Sequence, residues 1–258
     1  MSARIAVLAL KPVGEAAFQR LLAASGDAFA VVGACSNTSA EGTWWGSAAI
    51  ARHCARTGLP FLDGDSADLA RFIEATGADM ILSIQYSRLI GRNLLDRVGG
   101  RALNLHLAPL PAYRGFFGPT HALLRGDAEY GTTMHWMDEG ADTGDICIED
   151  RFPIAAAETG IGLYRKATQS GLRLVDRLIE GLASHQALPR TPQAGGGRYW
   201  SRNSLDGERR IRDPSDAEEV ERKARAFHFP GFEPAYIMEN GVRRHVHPHG
   251  SDKERDAQ

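Results

Sequence analysis

Asn104-Leu105-His106-Leu107-Ala108-Pro109-Leu110-Pro111-Ala112-Tyr113-Arg114-Gly115 begins as an apolar alternation that two prolines cut short. On an extended backbone, residues two apart point to one face, so Asn104 and His106 share a side. Pro109 and Pro111 offer no backbone donor and end the strand, which sets the pair at its carboxyl end. Ligands of open α/β sheets bind at such ends. A second stretch, Met137-Asp138-Glu139-Gly140-Ala141-Asp142-Thr143-Gly144-Asp145-Ile146, supplies the carboxylate of Asp142 on a loop between two further apolar runs.

Working outward, Arg4 to Leu10 reads as a buried strand and Glu15 to Ala24 as a helix with Ala17, Phe18, Leu21 and Leu22 on one face. Ala30 to Ala34 completes a βαβ opening. Ser47 to Thr57 and Ser66 to Thr76 follow as helices and Asp79 to Ile84 as a third buried strand. The alternation predicts a mostly parallel, Rossmann-like α/β sheet with helices on both faces. Tyr130 to Met137 and Ile146 to Ile154 read as later strands. Thr159 to Leu182 reads as a long helix with Leu163, Ala167, Leu174, Leu178 and Leu182 inward. Residues 1–185 are thus expected as the main domain, and Gln186 to Gly197, rich in Pro and Gly, as a linker. Residues 198–250 are expected as a small C-terminal α+β appendage. It holds a helix from Ala217 to Phe227 and a hairpin of Ala235 to Met238 and Val242 to Val246 around Asn240-Gly241. Residues 251–258 are expected as a disordered tail.

With 43% apolar and 24% charged residues, the chain has the balance of a soluble enzyme. A net charge of -2 argues against a nucleic-acid partner. Cys35, Cys54 and Cys147 fit neither a metal spacing nor a disulfide framework and read as reduced thiols in a cytoplasmic protein. The apolar run Ile5 to Leu10 is too short for a signal segment, and no stretch approaches the length that crosses a bilayer. Leu8-Ala9-Leu10-Lys11-Pro12-Val13-Gly14 lacks the glycine spacing of a dinucleotide loop.

Together the two motifs resemble the 10-formyltetrahydrofolate-dependent formyltransferases, over Asn104, His106, Leu110, Pro111, Tyr113, Arg114 and Gly115, then Asp138, Glu139, Gly140, Asp142, Thr143, Gly144 and Asp145. Leu107 and Ala108 depart from the family pattern, where proline and serine are usual. The resemblance implies the formyltransferase fold, a catalytic domain over 1–185, and 10-formyltetrahydrofolate as co-substrate with no metal. It implies Asn104, His106 and Asp142 as the catalytic trio. An amide donor such as Asn104 suits a carbonyl oxygen that gains charge, and an imidazole such as His106 suits proton uptake. Asp142 is expected either to hold a protonated imidazole or to relay a proton to the leaving group. The resemblance also assigns folate contacts to Tyr86, Ser87, Arg88, Leu89 and Ile90 and to Asp138, Glu139, Gly140 and Ala141.

Tyr199, Trp200, Phe227, Phe229, Phe232 and Tyr236 cluster near the end and read by themselves as a small core, but the segments Arg198-Tyr199-Trp200-Ser201-Arg202, Arg225-Ala226-Phe227-His228-Phe229-Pro230 and Pro234-Ala235-Tyr236-Ile237 are similar to the short C-terminal part of sugar N-formyltransferases. Sixty-one residues follow the linker, and acids balance bases there. The expected acceptor is therefore a small amine, a nucleotide-linked amino-deoxy sugar first. Tyr113, Arg114, Gly115, Tyr199 and Trp200 are the expected acceptor contacts. Formylation of an aminoacyl-tRNA or another amine, formyltetrahydrofolate hydrolysis, and a silent binding protein are the alternatives. A homodimer is compatible with the sequence. His245, His247 and His249 alternate but run into a polar terminus, so they are expected as solvated side chains, and Trp44 and Trp45 as a cap on the core.

Overall fold

The computed structural model describes residues 2–38, 48–64, 68–86 and 88–249. Strands and helices alternate at first: β1 (Ala3–Ala9), α1 (Lys11–Ala24), β2 (Phe29–Ser36), α2 (Ala49–Thr57), β3 (Phe61–Asp63), α3 (Leu69–Thr76), β4 (Met80–Ile84), α4 (Arg92–Arg97) and β5 (Ala102–His106). There follow β6 (Arg114–Gly115), α5 (Gly118–Arg125), β7 (Glu129–Trp136), β8 (Ile146–Pro153) and α6 (Gly160–Ala183). The last elements are β9 (Tyr199–Trp200), α7 (Ala217–Ala226), β10 (Ala235–Glu239) and β11 (Val242–Val246).

Among the described residues, seven strands form one sheet in the order β3-β2-β1-β4-β5-β7-β8. The first five are parallel; β7 runs antiparallel to β5, and β8 antiparallel to β7. The chain winds from β1 out to β3 and returns to β4 on the other side of β1. Strand order therefore reverses between β1 and β4, where the carboxyl ends leave a crevice. β1 is apolar without interruption because both of its faces are covered. Ile5, Val7 and Ala9 pack with Phe18 and Leu21 of α1 and with Leu174 of α6, whereas Ala6 and Leu8 pack with Ile73 of α3 and Leu94 of α4. Gly171 lets α6 lie close on β5, since a Cβ there would come within 2.9 Å of Leu107. Among the described residues, no helix is long and apolar enough to cross a membrane.

Several boundaries differ from expectation for local reasons. α1 starts at Lys11 rather than Glu15, because Pro12 stands in the first turn, where no donor is needed. α5 went unforeseen: its N-cap is Phe117, with φ 60° and no capping side chain, so the usual starting signal is missing. β3, at three residues, is too short to show a period. Ser47, Ser66, Ser87, the Trp44-Trp45 pair and the 251–258 tail lie outside the described residues.

The stretch from 186 to 197 is tied to the sheet. Ile146 and Thr191 exchange backbone bonds of 2.8 and 2.9 Å, and the Trp136 indole donates to the Pro189 carbonyl at 2.7 Å. Beyond it, Asp216 caps α7 by accepting from the Glu218 and Glu219 amides. The β10–β11 hairpin turns through Asn240 and Gly241, both at positive φ, as a two-residue loop of this hand requires.

Candidate active site

Register brings three polar side chains into one row across the sheet. Ser83 of β4 pairs with Asn104 of β5, which pairs with His135 of β7. The Ser83 hydroxyl donates to Asn104 Oδ1 at 2.9 Å, and that bond fixes the amide with Nδ2 facing the other way. Asn104 Nδ2 lies 3.1 Å from His135 Nε2 and 3.4 Å from Asp142 Oδ1. His135 Nδ1 sits 2.9 Å from the Trp136 carbonyl, to which it can only donate. In its neutral form, then, His135 Nε2 accepts the Asn104 amide.

His106, two residues further along β5, has its tautomer set in the same way. Nε2 is 2.7 Å from the Tyr113 carbonyl and must carry a proton there. That leaves Nδ1 as the nitrogen free to gain or lose one, and it faces Asp142 Oδ2 at 3.7 Å. Asp142 arrives on the loop after β7 with φ 57°, a left-handed conformation that aspartate tolerates better than most residues. Its Oδ2 also accepts the Gly115 amide at 2.9 Å. Burial opposes the charge on Asp142, but the charge of His106, the bond that His135 Nε2 makes at 3.4 Å when protonated, the Gly115 amide and the charge of His135 then outweigh it. The carboxyl is held well below the usual carboxylate range.

These groups open into a cavity of about 1020 Å³ that spans the β1/β4 crevice. It is lined by Tyr86, Arg88, Leu89, Gly140 and Ala141, and by the aromatic side chains of Phe116, Phe117, Tyr199, Phe229 and Phe232. Lys11 and Arg202 also line it. Burial first, then the Arg202 charge, push the Lys11 amine below its usual range. Among the described residues, neither has a carboxylate within ion-pair distance.

Residues 62–178 match the model of the formyl transferase family. The chain carries a formyl transferase domain. It is 38% identical over 160 residues to a methionyl-tRNA formyltransferase of Delftia acidovorans, covering 62% of this chain and 49% of that one. It is 32% identical over 164 residues to the GDP-perosamine N-formyltransferase of Brucella melitensis, covering 63% and 62%. The chain thus spans about half to three-fifths of the length of these curated relatives. A 4-N formyltransferase from Francisella tularensis superposes with a TM-score of 0.78 at 19% identity, covering 95% of this chain and 96% of that one.

Within this formyl transferase domain the structure brings Asn104, His106 and Asp142 together, and adds His135. The sequence reading missed His135, because a histidine inside an apolar strand looks like a core residue. Its pairing with Asn104 depends on an antiparallel register that the sequence does not show. Of the expected folate contacts, Tyr86, Arg88, Leu89, Gly140 and Ala141 line the cavity. Three do not. Ile90 is buried in the core beside Leu94 and Leu95, Asp138 is occupied by the Gly140 amide and the Thr143 hydroxyl, and Glu139 lies outside the lining.

The expected acceptor contacts divide in the same way. Gly115 and Tyr199 line the cavity, but Tyr113, Arg114 and Trp200 do not. Tyr113 is buried, stacked on Trp200 with ring centroids 6.3 Å apart, and its hydroxyl is bonded to Asp127. Trp200 is sandwiched further by the His121 ring at 3.7 Å, so these aromatics pack the wall from behind. Arg114 turns away to Gln193, at 3.0 and 3.3 Å.

Proposed function

We propose that the chain transfers a formyl group from 10-formyltetrahydrofolate to the amine of a nucleotide-linked amino-deoxy sugar. The observation that carries the chemistry is the His106 imidazole, with Nε2 committed to a carbonyl and Nδ1 turned to the Asp142 carboxylate at the cavity wall. The bound folate would supply the formyl carbon, and Tyr86, Arg88, Leu89, Gly140 and Ala141 would hold it. The cavity fits: about 1020 Å³ is ample for two ligands side by side.

His106 Nδ1 would take the proton that the acceptor nitrogen loses as its bond to the formyl carbon forms, and would return it to the departing folate nitrogen as the bond from that nitrogen to the formyl carbon breaks. Asp142 would hold the resulting imidazolium by charge, its Oδ2 facing His106 Nδ1 at 3.7 Å. Asn104 Nδ2, fixed from behind by Ser83, would donate to the carbonyl oxygen as that oxygen gains charge. On the acceptor side, the rings of Phe116, Phe117 and Tyr199 suit a nucleobase, and Lys11 and Arg202 suit phosphate oxygens. The name of the Brucella relative, which specifies an amino-sugar nucleotide, supports the same class of acceptor.

A panel of nucleotide amino sugars incubated with enzyme and 10-formyltetrahydrofolate tests this. The expected product is one carbon and one oxygen heavier than its acceptor by mass spectrometry, and initiator methionyl-tRNA is expected to remain unformylated. Modification of the tRNA alone would overturn the acceptor assignment.

A further inference from the structure

Asp142 holds a left-handed backbone, and what secures it comes from a distant part of the chain. Gln193 lies 51 residues on, in the stretch after α6. Its Nε2 donates to the Asp142 carbonyl at 2.9 Å and to the Gly144 carbonyl at 2.7 Å. Both of its amide protons are thereby used, on either side of Thr143. Its Oε1 accepts twice from the Arg114 guanidinium, which fixes the orientation of the amide. Arg114 in turn precedes Gly115, whose amide holds the Asp142 carboxylate. The ring of contacts therefore closes: Arg114 orients Gln193, Gln193 fixes the Asp142 main chain, and Gly115 fixes its side chain.

We propose that Gln193 is a positioning residue for Asp142, setting the carboxylate against His106 through the loop's carbonyls. The proposal rests on the reading of Asp142 as part of the reacting centre. Only an amide at this length satisfies both ends. A glutamate keeps the shape and can still accept from Arg114, but it has no proton to give the two carbonyls, and it brings a negative oxygen against them. An alanine leaves both carbonyls and the guanidinium without this partner.

Gln193→Glu and Gln193→Ala are compared with Arg190→Ala. Arg190 stacks on Trp136 from the same stretch and touches neither Asp142 nor the cavity. Both Gln193 variants are expected to lower kcat by roughly ten-fold or more, with KM for the folate donor changed by less than about three-fold. Arg190→Ala is expected to lower Tm and leave kcat near normal. A second readout needs no acceptor: the carboxyl carbon of Asp142, followed by NMR, is expected to titrate at higher pH in Gln193→Glu than in the wild type. A wild type that formylates nothing on the panel, with the carboxyl still shifted by the variant, defeats the functional reading and leaves this inference standing. An active Gln193→Glu with normal kcat and an unshifted carboxyl overturns it. So does a kcat loss in the Gln193 variants that Arg190→Ala reproduces at an equal fall in Tm.

Discussion

The two walls of the cavity are built on different principles. At the mouth of β5, every polar group has a partner: Asn104 is bonded to Ser83 and His135, His106 to the Tyr113 carbonyl, and Asp142 to Gly115. The side chains of His106 and Asp142 are only 12% and 15% exposed. In the aromatic part of the lining, Tyr199 is 52% exposed, Phe232 43% and Phe117 38%. The first wall is arranged in advance, as charge stabilisation requires, while the second presents open apolar area that a ligand would cover. One wall thus fits a reaction common to a family, and the other fits the choice of acceptor.

The largest effect expected to sharpen this contrast is at the mouth. His106→Asn or Asp142→Asn should lower turnover by roughly 10²-fold or more, while calorimetry should find the affinity for a stable folate analogue little changed. Near-normal turnover in either would erase the distinction between the walls. His135→Phe should come next. It removes the acceptor of the Asn104 amide from a buried site and should cost about 1–3 kcal/mol in urea unfolding, with a parallel fall in kcat. A loss of stability without any loss of turnover would make His135 a packing residue only.

How much of each wall was legible follows from what carries it. Asn104 and His106 could be found because a strand's period of two is local, and the prolines after them mark where it ends. Asp142 could be found from its loop motif. His135 depends on which strand lies beside β5 and in which direction, and that is decided by packing across the sheet rather than by any one segment. On the open wall the aromatic residues were visible, but their facing was not. Tyr113 and Trp200 look like ligand contacts in sequence, yet they stack on each other because Gly115 brings β6 against β9, where a Cβ would come within 2.3 Å of the Trp200 carbonyl. The main sheet was foreseen from its alternating pattern, whereas β3, α4 and α5 were too short or too weakly capped to announce themselves.

Changes in the open wall should be milder and of another kind. Arg202→Met or Tyr199→Ala should raise KM for the acceptor by roughly ten-fold, with donor affinity and limiting turnover close to normal. A fall in limiting turnover matching that of Asp142→Asn would show that both walls serve the chemistry. The smallest expected effect is on acid stability. The folded Asp142 carboxyl titrates below its ordinary value of 3.8, so the stability it contributes is fully present above that pH and is lost as pH falls through the folded value. Between about pH 4 and pH 2, the urea midpoint of the wild type should fall more steeply than that of Asp142→Asn. Parallel curves would mean that the carboxylate gains nothing from its partners on folding.

The central claim is that the Asn104, His106 and Asp142 mouth moves a formyl group onto an amine rather than onto water. A single-turnover reaction with 10-formyltetrahydrofolate carrying a labelled formyl carbon, run with and without a nucleotide amino sugar, tests it most directly. The predicted result is label in the sugar amide in step with donor loss, little formate when the acceptor is left out, and almost no transfer by Asp142→Asn. Release of formate at full rate without any acceptor, or undiminished transfer by Asp142→Asn, would contradict it.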